Sequence, residues 1–159
     1  LFDPQGRVHW QPLDTPVPRL RILLNGSVSD NTLTSRLHRR YWGAGLQYVS
    51  LRSADIFHTA EVLESLGLER LRIPSNYYED IETRFGLAPD FVAQLARWDI
   101  LYDQTADGEY LQLNSRAFDK RFFFEIVERR GNYDQYGAAN EVIKLTTQSR
   151  FKSDQANVL

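Results

Sequence analysis

A single carboxylate lies in the most apolar segment of this sequence. Residues 121–127 read RFFFEIV, so Glu125 has large hydrophobic neighbours on both sides. If this segment is a β-strand, alternation places Glu125 on the same face as Phe123 and Val127. Because burial of an unpaired carboxylate costs several kcal/mol, Glu125 needs a cation, a metal ion or hydrogen-bond donors. The simplest structural explanation is an ion pair between Glu125 and an arginine on a neighbouring strand.

Several other kinds of chemistry are excluded by the residues that the sequence contains. The chain has no Cys, which excludes disulfides, thiolate nucleophiles and thiolate zinc sites. His9, His38 and His58 have no second histidine or carboxylate at the spacing of metal ligands. No glycine-rich phosphate loop and no G-x-S-x-G elbow is found. The net charge of −2 argues against a protein that binds nucleic acid through its phosphates.

The length and composition predict one globular domain. The 159 residues are 42% hydrophobic and 25% charged, which is ordinary for soluble proteins. No apolar run of about 18 residues could form a membrane span, and no leader of the secretory type opens the chain. We therefore expect a cytoplasmic protein with no membrane partner. Because the chain contains no Met, we also expect a fragment or a processed piece of something longer.

The elements that must position Glu125 alternate between strands and helices. The predicted strands cover residues 7–10, 20–24, 46–52, 68–73, 100–103, 110–114 and 121–128. A first helix begins at Ser29 or Asp30 and reaches Tyr41, and a second begins at Ser53 or Asp55 and ends at Gly67. Two short helices fill the interval between residues 74 and 99, and Asp107-Gly108 predicts a hairpin turn. Residues 129–159 show no clear period and end in a polar tail.

This order of elements predicts an α+β fold built on a βαβββ module. The module covers residues 30–128 with a helical insert, residues 1–29 are the terminal strands of a preceding module, and residues 129–159 are a C-terminal extension. A lone module of this kind curls its sheet into half a barrel and leaves one face open. We expect an upstream domain or a partner chain to cover that face, and we expect a homo-oligomer.

Five segments, taken in order, resemble the C-terminal domain of 4-hydroxyphenylpyruvate dioxygenase, in the vicinal oxygen chelate superfamily. They are RLRILLN (19–25), GAGLQYVSLRSADIF (43–57), IPSNYY (73–78), ILYDQTADGEYLQLNSRAF (100–118) and FFFEIVERRG (122–131). The ending YDQYGAAN (133–140) resembles more closely a subset of this family. In that subset the domain is fused behind a sugar-phosphate-isomerase-like barrel that acts as 3-dehydroshikimate dehydratase. The resemblance implies a half-open curved sheet of the glyoxalase/dihydroxybiphenyl dioxygenase type.

The same resemblance implies an Fe(II) site, or a site for another divalent metal, made by two histidines and one carboxylate. The carboxylate matches Glu125, and the position of one histidine is held here by Tyr48. The other histidine falls before residue 1, so one of three expected ligands is present. Gln112 and Asn25 match substrate-binding positions of the family. Trp10 stands where a small hydroxyl residue is usual, and its bulk fills space that a keto acid needs.

Three functions are compatible with these residues. The leading hypothesis is a dioxygenase-like domain with a degenerate Fe(II) site, where metal is weakly bound or absent. It would belong to a fused 3-dehydroshikimate dehydratase in which another domain catalyses, so this fragment would not be catalytic alone. The first alternative is a working Fe(II) dioxygenase on an aromatic 2-oxo acid, with Tyr48 as an unusual ligand. The second is a metal-free module that binds a small aromatic acid or serves assembly.

Tyr48 has a second interpretation that does not involve metal. A phenolate ligand is costly, because the unperturbed pKa of a tyrosine is about 10. We therefore predict that Tyr48 fills the concave face and donates its hydroxyl to Glu125 or Gln112.

Overall fold

The computed structural model describes most of the chain, with most of the side chains between Ser35 and Gln148. The described residues are 2–3, 6–12, 21–25, 33–118 and 122–154. They form two compact units, Leu1–Gly45 and Leu46–Leu159. The module boundaries drawn from the sequence at residues 29 and 128 stay a prediction.

The first unit is a small antiparallel sheet followed by a helix. Its elements are β1 (Phe2–Asp3), β2 (Gly6–Pro12), β3 (Arg21–Asn25) and α1 (Leu33–Tyr41). The register of β2 and β3 places Val8 opposite Asn25 and Trp10 opposite Leu23. The strands predicted at 7–10 and 20–24 are confirmed with slightly shifted bounds. The predicted cap at Ser29 or Asp30 lies outside the described residues.

The second unit contains a four-stranded mixed sheet. Its strands are β4 (Tyr48–Arg52), β5 (Leu101–Thr105), β6 (Gly108–Asn114) and β7 (Phe123–Gly131). Their order is β4-β7-β6-β5, with β4 parallel to β7 and the other pairs antiparallel. The parallel strand follows from the helical connection, and the antiparallel meander follows from the predicted hairpin between β5 and β6. The predicted α+β class with an open curved sheet is confirmed.

Three helices, α2 (Ile56–Ser65), α3 (Ser75–Phe85) and α4 (Pro89–Arg97), connect β4 to β5. The N-terminus of α2 is capped twice. The Asp55 carboxylate accepts a hydrogen bond from the backbone N–H of His58 at 3.0 Å, and Glu128 accepts one from that of Ile56 at 2.8 Å. Two carboxylates at the positive end of the helix stabilise it and fix α2 against β7.

The strand predicted at residues 68–73 is wrong. Arg70 makes an isolated bridge with Ser115, and the rest of this segment is not paired as a strand. The reason lies in Asp99, which accepts a hydrogen bond from the backbone N–H of Ile73 at 3.0 Å. The amide that a strand would use in a ladder therefore bonds to a side chain.

The two faces of the sheet differ in character. Leu111, Leu113 and Ile126 lie on one face and pack with buried apolar residues of α2, α3 and α4. The opposite face carries Gln112 and Glu125, which are polar and also buried. The larger hydrophobic cluster therefore lies on the side of α2, α3 and α4, and the polar groups collect on the other side with a smaller cluster of Tyr110, Val127 and Tyr133.

A fifth helix, which the sequence did not predict, comes after the sheet. A short 3-10 helix (Ala138–Asn140) leads into α5 (Glu141–Asp154). Its buried residues include Lys144, Thr147 and Gln148, which are polar. Because the buried positions are polar, the helix shows no apolar stripe in the sequence. No helix among the described residues is long and apolar enough to cross a membrane.

Candidate functional site

Glu125 is the centre of the polar face of the sheet. It is only 3% exposed although it carries a carboxylate. The register of β7 places it beside Ser50 of β4 on one side and Asn114 of β6 on the other. The alternation predicted for residues 121–127 therefore places Glu125 inside, between two strands.

Four groups donate to the Glu125 carboxylate. Ser50 Oγ lies 2.5 Å from Oε1 and the Tyr110 hydroxyl lies 3.4 Å from the same oxygen. Gln112 Nε2 donates to Oε2, and Lys144 Nζ lies 3.0 Å from that oxygen. A carboxylate has about four acceptor positions, so the donors of these side chains use its full capacity.

Lys144 is the cation that balances Glu125. Its side chain is 2% exposed, and its ammonium also lies 2.7 Å from Oε2 of Glu141, one turn earlier in α5. Burial alone would lower the pKa of Lys144, but the charges of Glu125 and Glu141 outweigh burial and raise it well above its usual value. Lys144 is therefore charged at neutral pH. The expectation of an arginine on a neighbouring strand is wrong, because the cation comes from a helix.

Tyr48 contributes an aromatic face to this cluster. Its ring stacks on Phe123 with centroids 5.1 Å apart, and the Lys144 ammonium lies 4.3 Å from the ring centre. Burial raises the pKa of Tyr48 to about 12, so its hydroxyl stays protonated. The predicted hydrogen bond from Tyr48 to Glu125 or Gln112 is wrong. The parallel register places Tyr48 opposite Phe123, two residues from Glu125, and the ring contacts the cation instead.

Gln112 and Asn114 belong to the same buried cluster. Both are 1% exposed, and Gln112 donates to Glu125. The Oε1 atom of Gln112 and both amide atoms of Asn114 have no hydrogen-bond partner among the described residues. The cluster therefore contains buried oxygen atoms with free acceptor capacity.

The remaining candidates from the sequence lie in the first unit or, for His58, on the surface of the second. Asn25 ends β3, but its side chain and those of Trp10 and His9 lie outside the described side chains. His38 is exposed on α1, and the His58 side chain is 72% exposed on α2. The substrate role predicted for Asn25 and Gln112 stays a prediction.

Comparisons with known proteins relate the chain to two kinds of enzyme. No family model matches it. It is 36% identical over 151 residues to the 3-dehydroshikimate dehydratase of Pseudomonas aeruginosa, which covers 94% of this chain and 24% of that protein. It is 30% identical over 136 residues to the 4-hydroxyphenylpyruvate dioxygenase of the same organism, covering 82% of this chain and 38% of that protein.

Solved structures decide the fold. A protein described as a xylose isomerase-like TIM barrel/4-hydroxyphenylpyruvate dioxygenase fusion matches 91% of this chain and 25% of its own, with a TM-score of 0.70 and 30% identity. The chain matches the C-terminal dioxygenase-like domain of these proteins and has the vicinal oxygen chelate fold. A variant of 4-hydroxymandelate synthase from Streptomyces coelicolor shares this fold, with a TM-score of 0.65 and 18% identity. The dioxygenase-like domain spans only a quarter to two fifths of the curated relatives named above.

The residues of the dioxygenase-like domain do not fit the metal site that its resemblance implies. Among the residues that the structure describes, no three His, Cys, Asp or Glu side chains lie close enough together to hold a metal. The acceptor positions of Glu125 are used by protein donors, and the adjacent Lys144 charge repels a divalent ion at that carboxylate. A phenol with a pKa of about 12 is also a poor substitute for a neutral imidazole.

Proposed function

We propose that this dioxygenase-like domain has a degenerate Fe(II) site and catalyses no dioxygenation of its own. The observation that carries the proposal is the buried ion pair between Glu125 and Lys144, 3.0 Å apart. An Fe(II) dioxygenase needs coordination positions that stay open for substrate and dioxygen. Here the one carboxylate that matches a metal ligand is neutralised by an ammonium from the same chain.

The substrate side of the family's site supports the same proposal. Gln112 is committed to Glu125 through its amide nitrogen, and Tyr48 and Phe123 stack together over the Lys144 ammonium. These contacts pair the two aromatic rings with each other and the Gln112 amide with the Glu125 carboxylate. The amide nitrogen of Gln112 and the rings of Tyr48 and Phe123 therefore already have partners within the protein.

The role that remains is structural or assembly within a longer protein. We infer that the domain forms part of a 3-dehydroshikimate dehydratase, because relatives with that name match 94% to 98% of this chain. The chain covers 24% to 25% of those relatives, so the dehydratase reaction would belong to the other part. An upstream domain or partner chain would complete the half-open sheet. The assembly would be a homo-oligomer.

Iron loading tests the proposal. Purified protein is incubated with Fe(II) under anaerobic conditions, desalted and subjected to elemental analysis, and oxygen uptake is followed with 4-hydroxyphenylpyruvate. We expect far less than one iron per chain in the wild-type protein and the same iron content in Glu125→Gln. Oxygen uptake should be no faster than in buffer without protein. Stoichiometric iron that disappears in Glu125→Gln would overturn the proposal.

A second candidate function is binding of a small aromatic acid without metal. The unpaired amide atoms of Gln112 and Asn114 favour it, because they offer hydrogen bonds beside a buried cation. A ligand that binds the native state raises stability by mass action, by about 2.7 kcal/mol at one hundred times its dissociation constant. Thermal unfolding of metal-free protein with 4-hydroxyphenylpyruvate distinguishes the two. A concentration-dependent increase in the midpoint supports binding, and an unchanged midpoint supports a structural domain.

A further inference from the structure

The Lys144 ammonium contacts two carboxylates, the buried Glu125 and the partly buried Glu141. Oε2 of Glu125 and Oε2 of Glu141 both lie within 3.0 Å of this one nitrogen. The Glu141 side chain is 16% exposed and that of Glu125 is 4% exposed, so both would repel each other strongly without a cation between them. The Lys144 ammonium therefore reduces the repulsion between the two carboxylates, as a bound cation would.

Two amide side chains beside Glu125 have oxygen atoms for which the described residues provide no hydrogen-bond donor. Asn114 is the register partner of Glu125 across β6 and β7, and its Oδ1 is buried without a hydrogen bond. Oε1 of Gln112 is also unpaired, while the nitrogen of the same amide donates to Glu125. Carboxylate and amide oxygens are the ligands that Mg²⁺ and Mn²⁺ prefer.

We propose that Lys144 is a tethered cation that closes a latent divalent-cation site formed by Glu125, Glu141 and the amide oxygens beside them. The inference deepens the proposed function and rests on it, since it gives the reason why this site takes no metal. It also gives α5 a role, because the helix supplies both the cation and one of the two carboxylates. Removal of the ammonium opens the site to a divalent ion.

The test measures binding of Mn²⁺ alone by the loss of its free aqueous electron paramagnetic resonance signal. Wild-type protein is compared with Lys144→Met, which keeps side-chain length and removes the charge. We expect wild-type protein to bind Mn²⁺ weakly, and Lys144→Met to bind one ion at least about tenfold more tightly, because the repulsion between like charges is lost. Lys144→Met/Glu125→Gln should lose this gain.

Two further variants act as controls. Arg116→Met also removes one positive charge, but from the more exposed pair with Glu69, and it should bind Mn²⁺ as wild type does. Tyr48→His adds an imidazole and keeps Lys144, so it should show no tenfold gain. This second variant keeps the inference testable if Lys144→Met does not fold, as judged by circular dichroism.

The outcomes separate the inference from the proposed function. Folded Lys144→Met that binds Mn²⁺ no more tightly than wild type overturns the tethered cation and leaves the proposed function standing. A tenfold gain in Tyr48→His alone overturns it in the same way. Tight stoichiometric binding by wild type, lost in Glu125→Gln, overturns both.

Discussion

Removal of the buried charge of Lys144 should destabilise the folded protein severely. In Lys144→Met the Glu125 carboxylate keeps its donors from Ser50, Tyr110 and Gln112, but it has no cation while it is 3% exposed. Breaking a buried pair by removing one partner costs about 3–5 kcal/mol, because the remaining charge stays uncompensated. The Glu141 charge, which also loses its partner, adds to this cost.

The partner variant should cost less. In Glu125→Gln the ammonium of Lys144 keeps Glu141 at 2.7 Å and the ring of Tyr48 at 4.3 Å. The free energy of unfolding should then fall by about the contribution of one charged hydrogen bond, about 1.5–3 kcal/mol. Because the double variant removes both charges of the pair, it should be more stable than the sum of the single changes predicts. The coupling free energy should lie at about 1–3 kcal/mol.

Urea unfolding followed by tryptophan fluorescence measures each free energy, since the chain contains three Trp. The matched control is the pair of Glu69 and Arg116, whose Glu69 side chain is 71% exposed. Glu69→Gln and Arg116→Met should each cost less than about 1 kcal/mol with little coupling. If Lys144→Met costs no more than Arg116→Met, the buried pair does not stabilise the fold and the reasoning is refuted.

Two further predictions follow from the tyrosines. Tyr48→Phe should cost less than about 1 kcal/mol in the same urea assay, because the ring contacts with Phe123 and Lys144 remain and the hydroxyl does not donate to Glu125. A loss near 3 kcal/mol would show that the phenol supports the carboxylate. Burial raises the pKa of six tyrosines, so the folded protein keeps protons that the unfolded chain releases above about pH 10, and stability should fall there. The thermal midpoint should be lower at pH 11 than at pH 8, and equal midpoints would contradict this. The six are Tyr48, Tyr77, Tyr78, Tyr102, Tyr110 and Tyr133.

The strands and helices that have a clear period could be predicted from the sequence. Asp107-Gly108 predicted the β5–β6 hairpin, although its turn lies one residue earlier at Ala106 and Asp107, and Asp55 predicted the N-terminus of α2. The segment 68–73 resembled a strand because Leu68, Leu71 and Ile73 are apolar, but the carboxylate of Asp99 accepts a hydrogen bond from the backbone amide of Ile73. Such a contact between segments 26 residues apart leaves no local pattern in the sequence.

The candidate site could be predicted in part. Strand alternation alone predicted the face of β7 on which Glu125 lies. An error of one residue in the register would have placed every side chain of β7 on the opposite face. Lys144 could not be found in this way. It lies on α5, whose buried face is polar, so its sequence lacks the apolar period that indicates a helix. A lysine and a glutamate three residues apart, Glu141 and Lys144, were the only local signal, and such pairs are usually exposed.

The parallel pairing of β4 with β7 also has a consequence for the order of folding. β5, β6 and β7 are consecutive in the chain and can form a meander by local contacts, whereas Ser50 and Glu125 are 75 residues apart. Closing that long interval costs entropy before any contact repays it. We therefore expect β4 to dock after the transition state. Substitutions at Ser50 should then accelerate unfolding more than they slow refolding, while those in the β6–β7 meander should do the opposite.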